Sequence, residues 1–119
     1  MRAVVVLALL LTACAHTVSD RLFCGLSIPD GGSVSQAELD AFVEEVVATR
    51  FPEGFTVWRA RGHWQGGNEE SLVIEIIHPR DPHSDAKVRA IADEYRKRFR
   101  QEAVLRVTTP ARMELARER

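Results

Sequence analysis

Four segments of strand character and two amphipathic helical stripes follow one another in the order strand, helix, strand, strand, helix, strand. That order, with a turn-rich stretch joining the two middle strands, predicts an α+β fold of the ferredoxin-like βαββαβ type. Such a fold is a four-stranded antiparallel sheet with two helices on one face. Composition agrees, since 45% hydrophobic and 28% charged residues suit a single globular core.

The first strand is RLFCGLS, Arg21 to Ser27, and the loop IPDGGS follows it. Ser35 and Glu38 then stand at capping-box spacing, where each side chain satisfies a free backbone donor of the other. Leu39, Phe42, Val43, Val46 and Val47 recur at helical spacing and form one apolar face. Phe51-Pro52-Glu53-Gly54 closes that helix, because proline cannot continue it and glycine accepts the turn.

FTVWRARG, Phe55 to Gly62, is the second strand, and QGGNEE carries the turn chemistry of a hairpin. SLVIEIIH, Ser71 to His78, has the strongest strand character in the chain. In the loop beyond it, Asp81 or Ser84 can cap a helix whose first turn suits Pro82. Val88, Ile91, Ala92, Tyr95 and Phe99 are that helix's apolar stripe. AVLRVTT, Ala103 to Thr109, is the fourth strand, and residues 110–119 read as a charged tail or short terminal helix.

The N-terminal stretch points to location. Arg2 precedes the unbroken apolar run Ala3 to Leu11, too short for a bilayer span of about 20 residues. Such a run, ended by small residues, fits the middle of a secretory signal. Leu11-Thr12-Ala13-Cys14 resembles a bacterial lipobox, which implies cleavage before Cys14 and lipid attached to it. The alternative is an ordinary secretory signal with a chance cysteine near its cut site. The charged start, apolar run and small residues together favour the lipoprotein.

Residues 1–13 are then the signal peptide, 14–20 a lipidated tether, 21–109 the domain and 110–119 the tail. The expected location is the periplasmic face of the outer membrane in a diderm bacterium, or the outer face of the plasma membrane in a single-membrane one. The membrane is thus the first expected partner, through Cys14.

Loss of Arg2 with the signal takes the formal net charge from -1 to -2, so no electrostatic case for nucleic acid exists. With Cys14 lipidated, Cys24 has no disulfide partner and reads as a small buried hydrophobe. His63 and His78 fall at opposite ends of a hairpin and cannot share an ion, so no metal site is expected. No cofactor loop, serine elbow or dinucleotide fingerprint is present.

What remains is surface. With Leu22, Cys24, Leu26, Leu72, Ile74 and Ile76 against the helices, strand alternation puts Phe23, Trp58, Val73, Glu75, Ile77 and Arg106 on the other side. That side is too apolar for a freely solvated face and calls for a cover: the tail, a second copy or another envelope protein. His63 and Trp64, on the hairpin loop, form a second place for recognition.

Leu22-Phe23-Cys24-Gly25-Leu26-Ser27, Pro29-Asp30-Gly31-Gly32, Phe51-Pro52-Glu53-Gly54, Gly62-His63-Trp64, Tyr95 with Phe99, and Gln101-Glu102-Ala103-Val104-Leu105 together resemble an uncharacterised bacterial family of small exported proteins, the domain of unknown function thirty-five seventy-four. The resemblance runs from Arg21 to Thr109, and this chain departs from it in a shorter hairpin loop and a charged C-terminal extension. The family has no assigned activity, so the resemblance implies no catalytic residues. The preferred expectation is a non-enzymatic envelope lipoprotein offering its sheet face or the Trp64 loop to a partner. The competing one is a small enzyme or ligand binder, formed as a dimeric α+β barrel with its site on the open sheet face.

The anchor is directly testable. Cys14→Ala should release the protein from the membrane fraction, whereas unchanged membrane association would refute the lipobox.

Overall fold

A computed structural model describes residues 17–118 of the chain. The sequence motifs Leu11 to Cys14 therefore lie outside the described residues. Strands β1 (Thr17–Gly25), β2 (Thr56–Trp64), β3 (Gly67–Pro79) and β4 (Leu105–Pro110) form one antiparallel sheet in the order β2-β3-β1-β4. Helix α1 (Gln36–Phe42) follows β1 and helix α2 (Pro82–Arg98) follows β3. The fold is the ferredoxin-like α+β arrangement, with sequence neighbours β2 and β3 paired as a hairpin and β1 and β4 brought together by the crossovers.

Local chemistry explains the ends of each helix. Ser35 caps α1 with the reciprocal Glu38 contact, the capping box that the spacing predicts. The helix widens after Phe42 into a π-helical stretch, Val43–Val47, in which Ala48 N donates to Val43 O at 2.9 Å. Leu39, Phe42, Val46 and Val47 are all buried across that change. Asp81 is the cap of α2: its carboxylate accepts from Ser84 N at 2.7 Å, and Pro82 opens the first turn. Arg96, Lys97 and Arg98 occupy the last turn, where positive charge meets the helix dipole favourably.

The core lies between the helices and one face of the sheet. Leu22 and Cys24 of β1 and Leu72, Ile74 and Ile76 of β3 meet the apolar stripes of both helices. Phe42, Tyr95 and Phe99 form an aromatic cluster, with Phe42 edge-on to Tyr95 at a centroid distance of 5.1 Å. The Tyr95 hydroxyl donates to Gly25 O at 2.7 Å, which satisfies the polar end of this buried side chain.

Several strand boundaries differ from expectation. β1 begins at Thr17, so four residues assigned to the tether are paired strand; Asp20 is the physical reason, as described below. β3 begins at Gly67 and β2 extends to Trp64, which leaves a two-residue turn, Gln65-Gly66. Both turn residues have positive φ, 47° and 79°, as a type I′ hairpin requires, and the glycine accepts this freely. β4 starts at Leu105, two residues later than the sequence pattern indicates.

Cys24 is fully buried, and that burial pushes its thiol up to about 12. The folded protein should accordingly resist thiol reagents at neutral pH and react only once unfolded. Prompt labelling of Cys24 in the native chain would be incompatible with this packing.

Candidate functional site

The sheet face away from the helices is the first candidate surface. Register places Trp58 opposite Val73, Val73 opposite Phe23, and Phe23 opposite Leu105, so one row crosses all four strands. Glu75 pairs with Arg21 and Ile77 with Ser19 in the next rows along β1 and β3. Val73 is buried by its neighbours, but Trp58 is 39%, Ile77 42%, Leu105 59% and Val107 38% exposed. Within this apolar field lies a single ion pair: Arg21 Nε donates to Glu75 Oε2 at 2.6 Å, and Ser19 Oγ adds a bond at 3.2 Å. Phe23, Trp58, Glu75 and Ile77 therefore come together as expected from strand alternation.

Arg106 does not join them. It pairs in register with Leu22, whose side chain is in the core, and so points to the helix side. Strand alternation was expected to put Arg106 outward; the structure turns it inward and leaves Leu105 and Val107 outward instead. The cause is Asp20, which lies in phase with Leu22 and Cys24 on β1 and is completely buried.

A buried carboxylate needs donors, and Asp20 has four. Arg106 donates through Nε at 2.8 Å and Nη2 at 2.9 Å, and His78 Nε2 lies 2.5 Å from Oδ2. Thr108, directly opposite Asp20 in register, adds its hydroxyl. Arg106 also reaches Asp85 in the first turn of α2 at 2.9 Å, and Asp85 accepts from Arg89 as well. The network thus ties β1, β3, β4 and α2 together at one end of the sheet. A cavity of about 280 Å³ opens beside it, lined by His78, Arg80, Asp81, Asp85, Arg106 and Thr108.

The electrostatics show what this network can do. Burial alone would raise the Asp20 carboxyl, but the hydrogen bonds from Arg106, Thr108 and His78 outweigh it and hold it down at about 2. The same contacts to Asp20 raise the Arg106 guanidinium. His78 Nδ1 faces the Pro79 carbonyl at 2.7 Å, so both of its ring nitrogens are engaged with acceptors. With the carboxylate held ionised and both imidazole nitrogens facing acceptors, the cluster ties this end of the sheet together as a brace.

His63 and Trp64 sit elsewhere, at the far tip of the β2–β3 hairpin. They are the last residues of β2, paired with Asn68 and Gly67, and not loop residues. His63 Nδ1 lies 3.4 Å from Asn68 Oδ1, and Trp64 is 68% exposed. Neither touches the sheet-face cluster. Among the described residues no three His, Cys, Asp or Glu side chains converge as a metal site requires.

Sequence reasoning did not single out Asp20, Arg21, Asp85 or Thr108. The usable signal was phase: an aspartate two residues before Leu22 in an alternating strand lies on the inward series, and Arg106 with Thr108 share the phase of Val104.

A ferredoxin-like domain with an open apolar sheet face and a braced end is thus the class of protein defined by fold and surface. The chain belongs to the family described as protein of unknown function DUF3574, whose pattern matches residues 19–115. The match continues past the end of β4 and takes in part of the tail that was expected to depart from the family. No curated protein is detectably similar in sequence. Among solved structures, a phage SAM lyase in its apo state is similar at 25% identity, over 80% of this chain and 81% of that one, with a TM-score of 0.57. A phage SAM lyase in complex with S-methyl-5'-thioadenosine is similar at 24% identity, over 79% and 81%, with a TM-score of 0.55.

The brace carries a pH-dependent share of stability. Because the folded Asp20 carboxyl is at about 2 against an ordinary 3.8, its contribution is complete above roughly pH 4 and is lost as pH falls through 2. Asp20→Asn should destabilise the domain at pH 7 by about 3 kcal/mol in urea unfolding, because it leaves Arg106 without its buried counter-charge. The gap between variant and wild type should narrow as pH approaches 2. Equal stability at pH 7 would remove Asp20 from its place in the fold.

Proposed function

We propose that this protein is an exported lipoprotein, anchored through Cys14, whose domain is a binding module working through its open sheet face. The observation that carries this reading is the row Trp58, Phe23 and Leu105 with Ile77 and Val107, large apolar side chains left partly in water around one ion pair. A solvated antiparallel sheet face is ordinarily polar, so such a surface is an interaction site. A second copy of the chain is a fitting cover. Arg21 and Glu75 make the patch self-complementary in charge, as a two-fold contact between identical faces requires.

A specific likeness supports a second reading, in which paired faces enclose a small ligand. The phage SAM lyase similarity at 25% identity spans about four fifths of both chains. On this reading the ligand belongs to the adenosyl sulfonium and thioether class. Trp58 and Phe23 would offer stacking surfaces to the base, and Glu75 would face the sulfonium charge, with Arg21 beside it where Arg106 had been expected.

Light scattering of the protein across a concentration series tests the first reading. The wild type should associate, and Trp58→Glu should reduce association with little change in melting temperature. A wild type that stays a single copy at every concentration would exclude the copy-to-copy contact, and a variant that only melts earlier would make Trp58 a core residue. Calorimetric titration with S-adenosylmethionine and S-methyl-5'-thioadenosine tests the second: binding that Glu75→Gln weakens supports a ligand site, and no heat for either compound rules out this ligand class.

A further inference from the structure

We infer that the C-terminal tail is a second membrane contact, which sets the orientation of the domain on the lipid surface. The inference rests on the reading of Cys14 as the lipid-bearing residue and concerns what lies beside it. β4 runs antiparallel to β1, so the chain leaves the sheet where β1 enters it, with Pro110 opposite Val18. Beyond Pro110, Ala111 N still donates to Thr17 O at 3.0 Å. Residues 112–118 beyond it are all exposed, so the tail is not packed over the open sheet face. Thr17 is three residues from Cys14, a reach of about 10 Å at most. Lipid on Cys14 consequently brings the start of the tail to the headgroups.

The tail has the chemistry for that position. Met113 is 67% and Leu115 75% exposed, and their spacing of two puts both on one side of an extended segment. Arg112 alternates with them, and Arg80, exposed just beyond Pro79, stands at the same end of the sheet because Pro79 pairs with Thr17. Two apolar side chains flanked by guanidinium groups suit the boundary between phospholipid headgroups and acyl chains. The acidic groups nearby are largely engaged: Asp81 caps α2, and Asp85 holds Arg89 and Arg106. Glu114 and Glu118 remain exposed in the tail. A second observation is independent of all this. The family pattern extends through residue 115, so Met113 and Leu115 belong to the matched region although they stand largely exposed in the single chain.

The full-length lipidated protein, carrying Leu115→Cys with an environment-sensitive dye, tests the inference in vesicles of phosphatidylethanolamine and phosphatidylglycerol. Buried Cys24 leaves residue 115 as the site that labels. The dye should shift to shorter wavelength and lose most of its emission to lipids spin-labelled near the headgroup, and Met113→Asp should reduce that loss. The same dye at Trp64→Cys should show neither effect. A lipidated chain whose dye at 115 is unquenched by spin-labelled lipid overturns the tail contact alone. A blue shift that follows protein density and ignores the lipid label assigns the tail to a second copy and equally overturns it. A mature chain whose mass shows no lipid on Cys14 overturns the anchor and this inference with it.

Discussion

One buried carboxylate governs the end of this domain. Asp20 sits on the inward face of β1, in line with Leu22 and Cys24, where an unpaired charge would be strongly destabilising. Arg106, Thr108 and His78 convert that liability into a junction of three strands, and Asp85 extends it to α2. The arrangement specifies as well as holds. β4 is an edge strand with only six residues, and an apolar pattern alone would let it pair with either face inward. The Asp20–Arg106 contact selects the parity that turns Leu105 and Val107 outward. The brace on one side of the sheet is therefore a cause of the apolar surface on the other.

That surface has two distinct parts. In the middle, Val73 is sheltered by the residues opposite it, so part of the open face already behaves as an interior. Toward the β4 edge, Leu105 and Val107 remain in contact with water. An ion pair inside such a field, Arg21 with Glu75, becomes stronger as water leaves and would fix the alignment of whatever covers it. The helix face holds the packed core, and the open face keeps large apolar side chains partly in water.

The overall pattern was legible because it rests on strong local signals: the capping box at Ser35 and Glu38, Asp81 before Pro82, the helical stripes, and the hairpin's turn residues. The inward sets of β1 and β3 follow from simple alternation and match the packed core. What escaped was everything that depends on a distant partner. Thr17 to Asp20 look like polar linker until Arg106 and Thr108, more than eighty positions away, are opposite them. The same long-range pairing inverted Arg106, since a local rule that puts hydrophobic residues inside has no knowledge of a buried aspartate across the sheet. His63 and Trp64 were assigned to a loop because two consecutive glycines suggested a longer turn than the Gln65-Gly66 turn that forms.

β3 is thirteen residues long, whereas its partner β1 reaches only to Gly25, opposite Ser71. The hairpin therefore overhangs the sheet as a two-stranded ribbon, with Trp64 at its tip. At about 3.3 Å per residue, that tip stands roughly 40 Å from Pro79 along the strand. Two strands without a third beside them twist and bend more easily than the sheet below. The domain thus has a stiff base and a compliant outrigger, and a partner at Trp64 could be met some distance from whatever surface holds the N-terminal end. The length of this ribbon sets how far Trp64 stands from the N-terminal end of the sheet.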